Sequence, residues 1–263
     1  MDEIEKGTRM DTFFEARRLA VNGIDMHVAL GGAGEPLLLL HGFFGHGDDW
    51  RHVYDLESLA RERRVIIPDL RGHGRSTNPA GTFSHRQCAE DVSALLDALA
   101  ITRCRAVGLS LGGNTLLHLA TRAPARVSAM AIVSSPPYFP ASARAIMAAS
   151  DPDGQSPAEW TAMRARHEGG DEQIRALYAH ARAFATSHDD MAFTPPLLAT
   201  ITARTLIVYG DRDPFYPVEL ALELYRAIPG AALSVVPRGG HGPIFAEPER
   251  GWFARASIAF LEA

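Results

Sequence analysis

Three short segments of this chain carry residue types that can act together on a carbonyl carbon. In Gly108-Leu109-Ser110-Leu111-Gly112 a serine stands among small residues. That composition suits a sharp strand-to-helix turn, which holds the hydroxyl out in a strained backbone conformation. A serine hydroxyl is a poor nucleophile until a base takes its proton, so a histidine oriented by a carboxylate should follow in the order Ser, Asp, His. Tyr209-Gly210-Asp211-Arg212-Asp213-Pro214 and Gly239-Gly240-His241-Gly242 supply both. Asp211 follows the turn glycine directly, where an aspartate often binds loop amides instead, so Asp213 is the preferred acid. The competing readings are a helix cap for Ser110 and an ordinary loop histidine for His241.

Attack by Ser110 would place negative charge on the carbonyl oxygen, which needs backbone N–H donors. One is the amide of Leu111, next to the nucleophile. The other is expected from the loop His41-Gly42-Phe43-Phe44-Gly45, with Phe43 as the donor and the glycines permitting close approach. His41 is read as fixing this loop by hydrogen bonding rather than as a catalyst.

These loops need a framework. Residues 18–21 and 26–30 flank Asn22-Gly23, the strongest short hairpin signal, so two antiparallel strands open the fold. Near-continuous apolar runs at 37–40, 65–67, 105–107 and 130–133 then read as parallel strands buried on both faces, with further strands at 205–209 and 233–236. Helical patterns lie at about 49–63, 84–99, 111–122, 217–228 and 249–261. The expected fold class is α/β: a mostly parallel eight-stranded sheet flanked by helices. Residues 140–201 break the alternation with helical patterns alone, at 143–149, 158–167, 171–187 and after Pro195-Pro196. They read as a small helical cap inserted into a core formed by 1–139 and 202–263. The serine segment lies between a strand and a helix, and the other two segments follow strands, at the carboxyl edge where open α/β sheets place their sites.

In this order the segments resemble the α/β-hydrolase fold superfamily over nearly the whole chain. The resemblance rests on His41-Gly42-Phe43-Phe44-Gly45 with Trp50, Asp69-Leu70-Arg71-Gly72-His73-Gly74-Arg75-Ser76, the serine pentapeptide, Gly210-Asp211-Arg212-Asp213 and Gly240-His241-Gly242. It implies a triad of Ser110, Asp213 and His241, an oxyanion hole at Phe43 and Leu111, and loop-structuring roles for Asp69 and Arg71. A serine at the nucleophile position argues against haloalkane dehalogenases and epoxide hydrolases, which use aspartate there. Carbon–carbon hydrolases of ring-cleavage products usually carry Ser-Met-Gly-Gly and a tryptophan after the catalytic histidine. This chain has Ser110-Leu111-Gly112-Gly113 and His241-Gly242-Pro243. What remains looks like the carboxylesterase, enol-lactonase and acyl-homoserine lactonase group, with cofactor-free perhydrolases sharing the triad.

Apolar candidates to contact substrate are Trp160, Met163, Phe184 and Phe193 from the cap, and Phe44, Tyr138 and Phe139 from the core. Arg164, Arg175 and Arg182 read as a solvated helix face.

Composition sets the remaining bounds. An apolar fraction of 46% with 22% charged residues is ordinary for a folded domain. A net charge of −5 without long like-charged blocks argues against nucleic acid. Lys6 is the sole lysine, so a Walker-type phosphate loop lacks its lysine. Cys88 and Cys104 are too few for a disulfide framework or a four-ligand zinc site, and read as small buried residues. His41, His46 and His52 are not spaced as the metal ligands of a metallo-lactonase. No metal or cofactor is expected. No apolar run approaches the about 20 residues of a membrane span, and the mixed charges of residues 1–14 do not read as a secretory leader, so a cytoplasmic protein is expected, as monomer or homodimer.

The expected activity is hydrolysis of a small, mainly apolar carboxylic ester or lactone through an acyl-enzyme. It should rise with pH through roughly 6 to 7 as the base deprotonates. The alternatives are carbon–carbon hydrolysis of a ring-cleavage diketone, a perhydrolase, or a non-catalytic ligand receptor on the same scaffold.

Overall fold

The computed structural model describes residues 13–263. Lys6 and most of the N-terminal stretch discussed above lie outside the described residues. The hairpin comprises β1 (Phe14–Val21) and β2 (Ile24–Gly31), longer than the sequence suggests. They are joined at Asn22 and Gly23, with φ of +45° and +78°. Two successive residues in the left-handed region make the turn that matches strand twist, and Asn-Gly tolerates it best.

The sheet continues with β3 (Pro36–Leu40), β4 (Arg64–Pro68), β5 (Cys104–Leu109), β6 (Val127–Val133), β7 (Arg204–Gly210) and β8 (Ala232–Val236), in the order β1-β2-β4-β3-β5-β6-β7-β8. β2 runs antiparallel to β1 and β4, and every other pairing is parallel. The expected mostly parallel eight-stranded sheet is thus present. Its central strands are buried on both faces, which is why they read as unbroken apolar runs rather than alternations.

Helices α1 (Leu56–Glu62), α2 (His85–Ala98), α3 (Leu111–Arg122), α8 (Val218–Ala227) and α9 (Glu249–Glu262) flank the sheet. One apolar layer centres on Leu95, Leu116, Met130 and Leu224. The other, holding Trp50, Val107, Val208 and Phe253, forms on the opposite face. The helix expected over 49–63 is instead a 3₁₀ turn (Gly47–His52) and α1. Asp55, in an extended conformation, accepts the N–H of Ser58 at 3.1 Å and starts α1 afresh.

Four helices lie between β6 and β7: α4 (Ala141–Ala148), α5 (Pro157–Arg166), α6 (Gly170–Ala183) and α7 (Pro195–Leu198). α5 opens with a capping box between Ser156 and Glu159. Arg164 on α5 pairs with Asp171 and Arg175 on α6 with Asp153, both at exposed positions, and Arg182 is exposed too.

The spatial order turns between β3 and β5: the chain goes from β3 to β4 on one side, then crosses to β5 on the other. Loops leaving the two flanking strands diverge there and leave a crevice.

Candidate active site

Both loops bordering that crevice carry predicted site residues. Ser110 links β5 to α3 with φ +49° and ψ −110°, a strained conformation for a residue bearing a side chain. Its neighbours must be glycine: a Cβ on Gly108 would lie 2.5 Å from the Gly112 carbonyl carbon, and one on Gly112 would lie 2.1 Å from the Leu40 carbonyl oxygen. The Ser110 N–H donates to the Val133 carbonyl at 2.8 Å and pins the turn to β6.

His241, beyond β8, places Nε2 3.0 Å from Ser110 Oγ and Nδ1 2.9 Å from Asp213 Oδ2. The other Asp213 oxygen accepts the N–H groups of Phe215 and Tyr216 at 2.8 and 3.2 Å. The Asp213 side chain is fully buried, whereas Asp211 is exposed. The acid and base loops interlock: Arg212 N–H donates to the Gly239 carbonyl at 2.9 Å, and a Cβ on Gly210 would meet that oxygen at 2.1 Å. The three side chains named from sequence are therefore brought into one hydrogen-bonded relay.

The β3 loop carries Phe43 and Phe44, the latter at φ +62°. Among the described residues, the backbone N–H groups of Phe43 and Leu111 donate no hydrogen bond. His41 stands outside the relay. Its Nε2 accepts the Leu70 N–H at 2.9 Å and its Nδ1 donates to the Gly42 carbonyl at 2.8 Å, tying the β3 loop to the β4 loop. In that second loop Asp69 accepts from Gly47 N, Arg75 N and Arg75 Nε. Burial works against its ionisation, but the His27 ring, 3.4 Å away, and the bonds from Arg75 outweigh it and hold the carboxyl well below the usual range. Arg71 forms a buried pair with Asp91 at 2.6 Å. Asp69 and Arg71 thus build loops, as the sequence suggests.

A cavity of about 370 Å³ opens over Ser110 and His241, lined mostly by apolar side chains. Phe43, Phe44, Phe139 and Phe184 line it. Tyr138, Trp160, Met163 and Phe193 do not. Tyr138 is 38% exposed and donates to Glu223 at 2.9 Å. Trp160 and Met163 pack with Ile174 and Tyr178 in a separate cluster, and Phe193 packs on His118 in the core. Trp160 and Met163 thus pack one helix of the insertion against the next, since a helix buries its apolar stripe against the nearest partner before it lines a cavity.

The structure adds His85, Asn114, Met147, Phe215, Tyr216 and Phe245 to the wall. Phe215 and Tyr216 could have been found as immediate followers of the Asp213 turn. Their rings lie 4.7 and 5.2 Å from the His241 ring. Burial raises the Tyr216 phenol beside Ser110, keeping it protonated. A larger hollow of about 610 Å³ between the β4 loop and α6 contains none of the three relay residues. Among the described residues no three His, Cys, Asp or Glu side chains cluster to hold a metal ion, and no helix is long and apolar enough to cross a membrane. Cys88 and Cys104 are buried and unpaired.

A doubly flanked α/β sheet with a serine at a strained turn and a histidine–aspartate pair beyond later strands defines a hydrolase class. The chain belongs to the alpha/beta hydrolase family, whose family model matches residues 37–255. It is similar to the dihydrolipoyllysine-residue acetyltransferase component of an acetoin cleaving system from Pseudomonas putida, 32% identical over 233 residues, or 81% of this chain. The chain covers 60% of that relative's length. It is also similar to a 2-hydroxymuconate semialdehyde hydrolase from Pseudomonas putida, 30% identical over 251 residues and covering 88% of each protein. Among solved structures, one of an N-acyl homoserine lactone degrading enzyme superposes with a TM-score of 0.69 at 27% identity, covering 93% of this chain and 100% of that one.

Proposed function

We propose that this chain hydrolyses a small, mainly apolar carboxylic ester or lactone through an acyl-enzyme on Ser110. The observation that carries the reading is the relay itself, Asp213 to His241 at 2.9 Å and His241 to Ser110 at 3.0 Å, at the floor of an apolar cavity. Ser110 Oγ attacks the carbonyl carbon while His241 Nε2 takes its proton. Asp213, its second oxygen occupied by two backbone amides, holds the imidazole with Nδ1–H toward itself and stabilises the cation. The undonated amides of Phe43 and Leu111 receive the oxyanion. His241 then returns the proton to the leaving alcohol, and water repeats the sequence to release the acid.

A carbon–carbon hydrolase is the second reading, favoured by the likeness to the semialdehyde hydrolase over 88% of each chain. Against it, no arginine or lysine among the described residues lines the cavity, so an anionic substrate would meet no fixed cation from them. A neutral ester or lactone suits the wall better. The deciding experiment compares kcat/KM for p-nitrophenyl esters of rising chain length, a γ-lactone, an acyl-homoserine lactone and a ring-cleavage diketone, each with Ser110→Ala as control. Ester or lactone turnover that exceeds the diketone's and collapses in the variant supports the proposal. A faster diketone, or a variant as active as wild type, overturns it.

A further inference from the structure

A second histidine–carboxylate pair opens onto the same cavity. His85, the first residue of α2, is 2% exposed and lines the cavity together with Ser110. Its Nδ1 stands 2.6 Å from Asp190 Oδ2, and Asp190 also accepts the backbone N–H groups of His85 and Arg86 at 2.8 and 3.1 Å. Burial pushes the Asp190 carboxyl up, but the bonds from His85 and Arg86 outweigh it and bring it to about 2, so it is ionised at neutral pH. An ionised carboxylate only accepts, so Nδ1 carries the proton, and a neutral imidazole then leaves a lone pair on Nε2.

That lone pair has no protein partner. Nε2 makes no hydrogen bond among the described residues, yet it is not among their sealed, unpartnered polar atoms, which include His27 Nδ1, His73 Nε2 and Asn114 Oδ1. It therefore borders open space, and the open space that His85 lines is the cavity. The ring is wedged between Phe139 at 5.5 Å and Phe184 at 4.8 Å, so it is held rather than free to turn away. Asn114, in the first turn of α3 and 1% exposed, brings a side-chain amide to the same wall. A carboxylate-anchored acceptor in a mostly apolar lining is unmatched until a ligand donates to it.

We infer that His85 determines specificity by accepting a hydrogen bond from a hydroxyl on the substrate, away from the reacting carbonyl. The favoured substrate class is then a hydroxylated ester or lactone. A hydroxyl satisfies the imidazole and retains a lone pair for the Asn114 amide. A plain hydrocarbon leaves both unmet, a mismatch that a polar site rejects far more strongly than a missing methylene. This rests on Ser110 hydrolysis as proposed above.

The test measures kcat/KM for methyl hexanoate against its monohydroxylated counterparts, and for pentyl acetate against a hydroxypentyl acetate, in wild type, His85→Leu and His85→Gln. We expect at least one hydroxylated member to exceed its plain partner by about tenfold or more in wild type. That ratio falls to near unity in His85→Leu and is partly kept in His85→Gln. No hydroxyl preference in wild type, or one undiminished in His85→Leu, overturns the assignment. A folding defect in the variants leaves a second measurement: Ser110→Ala, which cannot turn over, binds the hydroxylated ester about tenfold more tightly than the plain one. Equal binding there overturns the assignment. Failure of the hydrolase reading appears separately, as turnover independent of Ser110 alongside a retained binding preference.

Discussion

His167 donates through Nε2 to the main-chain carbonyl of Phe44 at 3.2 Å, joining the end of α5 to the loop that carries the proposed oxyanion donor. Its Nδ1 accepts the Gly74 N–H at 2.9 Å, which sets the tautomer, because an amide N–H can only donate. Phe44 sits at φ +62°, a conformation that persists only where the surroundings over-determine it. His167 is thus a positioning residue: it holds the Phe44–Gly45 peptide, just beyond Phe43 in the same loop, from the insertion side.

The two bonds can be separated. Asparagine at position 167 keeps an acceptor near Nδ1 and loses the reach to Phe44, whereas glutamine keeps a donor near Nε2. His167→Asn should lower kcat about tenfold with little change in KM, and His167→Gln should stay near wild type. Steady-state kinetics on the best ester check this. Equal loss in both variants would assign His167 a purely structural part.

The relay predicts non-additive kinetics. Ser110→Ala and His241→Ala should each cut kcat by roughly 10⁴-fold or more, and the double variant no further. Asp213→Asn should cost about 10⁴-fold, because an amide favours the wrong imidazole tautomer. Independent, additive losses would show that the three residues do not act as a unit.

Close backbone approach at the elbow makes a stability prediction. Gly112→Ala puts a methyl 2.1 Å from the carbonyl oxygen of Leu40 in the central sheet, where neither backbone can yield. It should destabilise by about 3 kcal/mol or prevent folding. Gly240→Ala meets nothing within 4 Å and should stay within about 0.5 kcal/mol. Urea unfolding midpoints read both.

Acid should destabilise the fold through its buried histidines. Burial brings the rings of His118 and His167 down to about 4, and lowers His41 and His73 as well. The unfolded chain binds protons below the ordinary histidine value near 6.5, while the folded chain declines them until about pH 4. Stability is therefore full above 6.5 and falls as pH drops towards 4, by about 3 kcal/mol for each of His118 and His167. The urea midpoint followed from pH 7 to 4 should decline, and His118→Gln should flatten the slope. A midpoint flat across this window would refute the prediction.

Much of this architecture was legible in the order of residues. Apolar runs such as 37–40 and 130–133 read as strands buried on both faces, and Asn22-Gly23 specified its own turn. Ser110, Asp213 and His241 stood out because each follows a strand, and the sheet brings strand ends to one edge. Asp55 was less visible, since a cap inside an apparently periodic run competes with continuing the helix. The cavity wall was read worst. Trp160 and Phe193 have suitable chemistry, but which way an insertion helix turns depends on contacts distant in sequence. His85 carries no signal within the helical pattern at 84–99, and only the bond to Asp190, distant in sequence, supports the role proposed for it.

The cavity has two owners. The core contributes Phe43, Leu109, Phe215 and Tyr216, and the insertion contributes Met147, Ser150, Ala181 and Phe184. If the cavity takes substrate as proposed, exchanging the block of helices between β6 and β7 recuts its walls without touching the nucleophile, as a lock can be rekeyed without replacing the bolt. Such a block must also bring a counterpart of His167. A transplanted insertion without it would install new walls over a slackened oxyanion loop, gaining selectivity and losing speed in the same exchange.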